Sequence, residues 1–150
     1  MNKWIVILIC FLLFATGCST TYNINTDTTK ELTKNLKELS PSIERVQFTF
    51  TRPNLSCRID MNEEPSKEEL ESILTELDEF STVDNINEIA RSVKWGLEIS
   101  NIYLDINTDK NKKTIEHAYY ARYFKTSDAS DHSDTNIEGY ETWYELTEQY

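Results

Sequence analysis

The sequence is poor in glycine, proline, cysteine and positive charge. Its 150 residues include only 3 Gly and 3 Pro, which excludes a collagen-like chain or one dominated by linkers. Two of its 3 Cys lie within the first 18 residues, so we expect no disulfide framework. Lys and Arg number 15 against 26 Asp and Glu, for a formal net charge of −11. Nucleic acid binding needs a clustered positive surface, so we expect no nucleic-acid partner.

The apolar content is sufficient for one packed domain. Hydrophobic residues make up 39% of the chain and charged residues 27%. For a length of 150 residues these proportions are typical of a single globular domain rather than two domains or a disordered tail.

The first seventeen residues have the pattern of a cleaved secretory signal peptide. Lys3 gives a positive start, residues 4–14 are an uninterrupted apolar run, and residues 15–17 are small. The apolar run is about half of the roughly 20 residues that a membrane-spanning helix needs. We therefore expect residues 1–17 to be removed rather than to remain in the membrane.

Residues 14–18, with the sequence FATGC, resemble the lipobox of bacterial lipoproteins, in which small residues precede an obligatory cysteine. The resemblance implies cleavage between Gly17 and Cys18 and a thioether-linked diacylglycerol on Cys18. Two acyl chains hold a protein stably on a bilayer, whereas one does so only marginally. Because Ser19 rather than Asp follows the cysteine, the family's sorting pattern favours the outer membrane in a cell with two membranes.

This processing predicts an extracytoplasmic protein on the outer leaflet of the cytoplasmic membrane, or on the outer membrane where there are two. Cleavage removes 17 residues and the charge of Lys3, which leaves 133 residues and a net charge of −12. Anionic headgroups repel such a body, so we expect it to hang from a flexible tether over residues 18–28. Apart from the lipid on Cys18, we expect no cofactor.

Residues 29–150 predict one small acidic α+β domain. The spacing of Leu32, Leu36 and Leu39 indicates a helix with Thr28 and Glu31 as its capping box. Alternating apolar positions predict strands over residues 46–51, 55–61, 102–106, 114–124 and 140–146. Residues 125–136 lack apolar side chains and are expected to form a mobile loop.

A second helical region lies between the two predicted hairpins. Ser66 and Glu69 form a capping box before an apolar helical stripe. Residues 83–95 continue with helical spacing, with Asp84 as a cap and Gly96 as a terminator, although part of this segment could be strand. The expected order is α-β-β-α(α)-β-β-β, an antiparallel sheet of about five short strands with two or three helices.

No set of residues in the sequence matches a catalytic or metal site. Glu141 and Glu145 share a strand face about 13 Å apart, too far for the carboxylate pair of a glycosidase. His117 and His132 have no partner at metal-ligand spacing, and Cys57 lies on the apolar side of its strand. The acidic residues of 128–138 lack the spacing and glycine of a calcium loop. We therefore expect neither catalysis nor a metal.

Aromatic residues are dense near the C-terminus and give a candidate binding surface. Tyr120, Phe124 and Trp143, with Glu141 and Glu145 beside the tryptophan, would bind a basic protein or peptide if they are exposed. The alternative is that these aromatics pack in the core beneath the first helix.

These observations predict a membrane-anchored, protein-binding adaptor. A cell-envelope glycan-binding module with Trp143 as its stacking platform, and an immunity or exclusion lipoprotein, are the alternatives from other classes. A hydrolase comes last, because no catalytic group supports one.

Overall fold

The computed structural model describes residues 20–146 except 110, 112 and 113, and shows three helices on a six-stranded sheet. The predicted signal peptide and the lipobox with Cys18 lie outside the described residues. The elements in chain order are β1 (Thr21–Ile24), α1 (Asp27–Leu39), β2 (Ile43–Thr51), β3 (Asn54–Met61), α2 (Lys67–Phe80), α3 (Val83–Ser92), β4 (Asn101–Asn107), β5 (His117–Arg122) and β6 (Tyr144–Glu145).

The strands lie side by side in sequence order, and one pair of them is parallel. β1 with β2, β2 with β3, β4 with β5 and β5 with β6 pair antiparallel, whereas β3 and β4 pair parallel. The predicted α+β class is compatible with this mixed sheet, but the expected wholly antiparallel pairing is wrong at β3–β4. Because α2 and α3 carry the chain back across the sheet, β4 starts at the same end as β3.

The sixth strand comes from residues that we expected to belong to the tether. Tyr22 pairs with Phe50 and Ile24 with Phe48, so β1 forms one edge of the sheet. Ile24 is buried and Tyr22 packs against the core. The expectation of a flexible segment through residue 28 is therefore wrong from Thr21 onward. Two alternating apolar side chains, Tyr22 and Ile24, are enough to form a strand here because β2 offers backbone groups for pairing.

The first helix begins two residues earlier than the sequence suggested. The hydroxyl of Thr26 accepts a hydrogen bond from Thr29 N, and the hydroxyl of Thr29 accepts one from Thr26 N. This reciprocal pair is the capping box. The hydroxyl of Thr28 instead donates to Glu88 of α3, so its assignment as the cap was wrong.

The second and third helices confirm the two predicted helical segments. The hydroxyl of Ser66 accepts from Glu69 N at 3.2 Å, as the sequence indicated. α3 is capped by Thr82 rather than Asp84. The residue with left-handed backbone after α3 is Lys94, with φ of 56°, and not Gly96.

The last two strands are shorter than predicted. β5 covers His117–Arg122 instead of 114–124, and β6 covers only Tyr144–Glu145 instead of 140–146. Between them the chain leaves the sheet and makes a single isolated bridge from Phe124 to Ile137. Aromatic residues favour strands, but Tyr123 and Phe124 lie beyond the end of β5, in the segment that leaves the sheet.

One face of the sheet and all three helices enclose a single core. The strands contribute every second residue to it, and the helices contribute their apolar stripes. Its fully buried large side chains are Phe50, Leu36, Leu55, Ile59, Ile73, Leu77, Ile86, Ile89, Ile99, Ile102, Leu104 and Ile106. Because the alternating residues of the strands point away from this core, the helices leave the opposite face of the sheet uncovered by any of them.

Candidate interaction surface

The face of the sheet opposite the helices, here called the open face, carries polar and aromatic side chains. Most of them are half-buried by their neighbours within the sheet. In the half of the sheet that runs from β3 to the edge strand β6, the register places the following residues on this face: Ser56, Arg58, Tyr103, Asp105, Ala118, Tyr120, Arg122 and Tyr144.

Three tyrosines form a continuous row across the open face. Tyr103 pairs with Tyr120 across β4 and β5, and Tyr120 pairs with Tyr144 across β5 and β6. The ring centroids of the first pair are 6.4 Å apart. Those of the second are 5.2 Å apart with an interplanar angle of 28°, which is a stacked arrangement. This tyrosine ladder is a partly exposed aromatic surface of the kind that anchors protein interfaces.

A buried carboxylate fixes the outer end of the tyrosine ladder. The Oε2 atom of Glu138 accepts from Arg122 Nε at 2.7 Å, and its Oε1 atom accepts from the Tyr144 hydroxyl at 2.7 Å. The Arg122 guanidinium also lies 5.1 Å from the centre of the Tyr144 ring. Since the Glu138 side chain is only 7% exposed, these contacts also compensate the burial of its charge.

Asp105 is a carboxyl group of the open face whose charged form is disfavoured by partial burial. It lies between Arg58 on β3 and Ala118 on β5, two residues along β4 from Tyr103 and on the same face. Burial raises the pKa of its carboxyl above the usual value, and the positive charge of Arg58 opposes this rise only in part. The Nε atom of Arg58 donates to Asp60 at 2.8 Å. A partly desolvated carboxylate on an accessible face is typical of binding sites.

The structure separates the aromatic residues that the sequence grouped together. Tyr120 lies on the open face, and Glu141 and Glu145 are exposed. Phe124 is buried, and Trp143 is half-buried against the core with its indole nitrogen buried and without a hydrogen-bond partner. The expectation of one exposed set around Tyr120, Phe124 and Trp143 is therefore wrong, because β5 ends at Arg122 and the strand alternation does not reach Phe124.

Sequence reasoning missed two of the three members of the tyrosine ladder. Local alternation places Tyr103 and Tyr144 in separate predicted strands and does not show that they meet Tyr120. The signal that could have found them is the register of the β4–β5 hairpin, which sets Tyr103 directly opposite Tyr120. Directly opposite side chains in an antiparallel pair are in contact range.

The two histidines contact neighbouring side chains, and the free cysteine is buried. The Nε2 atom of His117 lies 2.5 Å from Oε1 of Glu64, whose pKa is lowered by hydrogen bonds from Thr108 and His117. His132 packs edge-on against the buried Phe124 ring. Cys57 is fully buried, which raises the pKa of its thiol far above the usual range.

The acidic loop over residues 125–136 is organised by one amide. The Nδ2 atom of Asn136 donates to the carbonyl oxygens of Asp128 and Asp131, both at 2.9 Å. The carboxylates of these two aspartates accept from Ser130 and Ser133 within the loop. Within residues 20–146 as described, no group of three or more His, Cys, Asp or Glu side chains is arranged to hold a metal ion.

Comparison with known proteins gives no relative: no family model, no curated protein and no solved structure matches the chain. Among the described residues, no helix has the length and apolar character to cross a membrane.

Replacing Asp105 by Asn should stabilise the protein at pH 7 and have little effect at pH 3. The pKa of Asp105 is higher in the folded than in the unfolded chain, so the stability of the native protein falls as pH rises through that interval. The amide that replaces the Asp105 carboxyl does not titrate, so the variant does not lose this stability as the pH rises. Urea unfolding at both pH values measures the difference, with Asp78→Asn on the exposed face of α2 as the matched control. A variant that is less stable than the native protein at pH 7 would show that Arg58 outweighs desolvation.

Proposed function

We propose that this protein is an extracytoplasmic lipoprotein, acylated at Cys18, whose domain binds a basic protein or peptide through the open face. The anchor is supported by the signal-peptide pattern and the lipobox resemblance of residues 14–18. The binding role is supported by a sheet face that the helices leave uncovered and that carries a tyrosine ladder.

The observation that carries the binding role is the combination of the tyrosine ladder with Asp105. Tyrosine rings bury a large area and lose little conformational entropy on binding, because they have few rotatable bonds. The ladder is already ordered by its own stacking and by Glu138. Ordering of this kind before binding lowers the entropic cost of association.

Asp105 indicates the chemistry of the partner. Its carboxylate is disfavoured in the free protein because it is partly removed from water. A cationic side chain that approaches it would interact more strongly than in bulk water, since the local dielectric is low. A Lys or Arg of the partner could therefore pair with Asp105 while neighbouring apolar atoms cover Tyr103 and Tyr120.

The net charge of −12 that remains after the proposed cleavage favours the same class of partner. A strongly acidic body attracts basic molecules at long range and increases their association rate, and added salt weakens this attraction. The exposed carboxylates of Glu141 and Glu145 contribute to this field near β6.

A glycan ligand is the second candidate, supported by a groove at the edge of the open face. The groove has a volume of about 320 Å³, and its lining includes the Tyr120 ring with Ser100, Asn101 and Thr126. A planar ring beside hydroxyl and amide groups suits a sugar unit. Sugar binding here would use Tyr120, since Trp143 packs against the core. Association that is insensitive to salt would favour this candidate.

Changing Cys18 to Ala should abolish acylation and release the protein from the membrane fraction. Cells fed an alkyne-tagged palmitate should label the native protein, and labelling should fall to background in the variant because no other position would carry the lipid. Cys10→Ala, which alters the leader outside the lipobox, is the matched control and should remain labelled. Persistent labelling of Cys18→Ala would refute the anchor.

Removing two rings of the tyrosine ladder should reduce partner capture by tenfold or more. Anchor side chains of this kind typically contribute more than about 1 kcal/mol each to an interface, which corresponds to roughly fivefold or more per residue. The measurement is formaldehyde cross-linking of cells that express tagged native protein or the Tyr120→Ser/Tyr144→Ser variant, followed by mass spectrometry.

The matched control for capture is Ile115→Ser, which removes an exposed apolar side chain beyond the ladder, near the start of β5. It should capture as the native protein does. Circular dichroism and thermal unfolding show whether the double variant remains folded. Undiminished capture by a folded double variant would rule out the tyrosine ladder as the binding surface.

A further inference from the structure

The start of β1, the β2–β3 hairpin and the end of α3 meet at one corner of the domain. Thr21 pairs with Thr51, so β1 begins beside the hairpin that contains Arg52. A groove of about 570 Å³ is lined both by residues of β1 and by Arg52, Ser92 and Lys94. The chain therefore enters the domain at the place where α3 ends.

This corner is basic in an otherwise acidic protein. Residues 20–26, 51–54 and 89–97 contain no Asp or Glu, but they contain Arg52, Arg91 and Lys94. Three acids directly flank these segments, and each contacts a neighbouring side chain. Asp27 pairs with Lys30 at 3.0 Å, Glu88 accepts a hydrogen bond from Thr28, and Oε1 of Glu98 lies 4.0 Å from Nδ1 of His132.

The corner also presents apolar surface next to its cations. Leu97 is 64% exposed, the most exposed large hydrophobic side chain in the part of the chain that the structure describes. Trp95 is half-buried, with its ring centre 5.8 Å from that of Phe50 and 5.2 Å from the Arg52 guanidinium. Tryptophan, an exposed aliphatic residue and flanking Lys and Arg together are typical of surfaces at a membrane interface.

The distance to the lipid attachment point is short. Thr21 already belongs to β1, and only three residue steps separate it from Cys18, a span of at most about 10 Å. The headgroup layer of one leaflet is roughly 5–7 Å thick. If Cys18 is acylated, the start of β1 cannot lie far from the headgroups.

We propose that the basic corner formed by Arg52, Arg91, Lys94, Trp95 and Leu97 rests on the anionic headgroups of the membrane that holds the protein. This inference depends on the proposed acylation of Cys18. It replaces the expectation of a domain hanging free on a tether, since the segment assigned to the tether is largely strand and helix.

The acidic remainder of the domain does not prevent this contact. At physiological ionic strength the field of a charge is largely screened beyond about 8 Å. The acidic loop over residues 125–136 follows β5, four strand spacings or about 19 Å from β1, although it reaches Glu98 through His132 at 4.0 Å. The start of β1, where the anchor would hold the domain, therefore lies more than one screening length from the strand that carries the loop.

Tryptophan fluorescence on tethered protein tests the contact. The chain from Cys18 onward contains the whole described fold, and its Cys18 thiol can be coupled to a maleimide lipid, because Cys57 is fully buried. The vesicles contain brominated phosphatidylcholine, with or without phosphatidylglycerol. The protein from Cys18 onward has two tryptophans, Trp95 and Trp143. The Trp143→Phe variant therefore reports on Trp95 alone, and Trp95→Phe reports on Trp143 alone.

Trp95 should be strongly quenched on vesicles with phosphatidylglycerol, and Trp143 should not. Each basic side chain near an anionic surface increases partitioning about fivefold, so Arg52→Gln/Lys94→Gln should lower the ratio of docked to undocked domain about 25-fold. Lys34→Gln/Lys67→Gln removes the same charge from exposed positions on α1 and α2 and should dock normally.

Trp95 quenching that is absent, or that is unchanged in Arg52→Gln/Lys94→Gln, would overturn the inference. This failure is distinct from failure of the proposed function. Palmitate labelling of Cys18 with no quenching of Trp95 refutes only the contact, whereas loss of labelling in cells refutes the anchor on which both depend.

Discussion

The parallel pairing of β3 with β4 is the constraint on which the rest of the structure depends. Parallel neighbours cannot be joined by a tight turn, so the chain must cross the sheet, and it does so through α2 and α3. These helices bury their apolar stripes against one face, and α1 joins them there. The sheet therefore has one face in the core and one face that its helices leave uncovered.

The uncovered face is stabilised by its own side chains rather than by a second layer. Stacking joins Tyr120 to Tyr144, and Glu138 fixes the hydroxyl of Tyr144. Asp105 is the exception, since burial disfavours its charge and Arg58 compensates only in part. A partly buried carboxylate at this position does not stabilise the fold. We therefore infer that Asp105 pairs with a cationic group of the partner.

The sequence predicted the elements that depend on local patterns. Alternation indicated β2, β3 and β4, and the Ser66 capping box indicated α2, because these signals lie within a few residues of each other. The direction of β4 was not predictable in this way, since alternation is the same in parallel and antiparallel strands. β1 was missed because its burial depends on pairing with β2, about thirty residues away.

The candidate surface also depends on long-range pairing that local sequence patterns do not show. Tyr120 was predicted from local alternation, but Tyr103 and Tyr144 join it only through cross-strand register. Phe124 was wrongly included because nothing in its local sequence shows that β5 ends at Arg122. The basic corner likewise brings together segments around residues 21, 52 and 94, which only the folded chain makes neighbours.

Photo-crosslinking in cells tests directly whether a partner binds at the open face. A photo-reactive phenylalanine analogue replaces Tyr120 on the open face or, in a matched experiment, Thr75 on the exposed side of α2. We expect one discrete cross-linked protein from position 120 and none from position 75. The same product from both positions, or a product only from position 75, would rule out the open face as the binding surface.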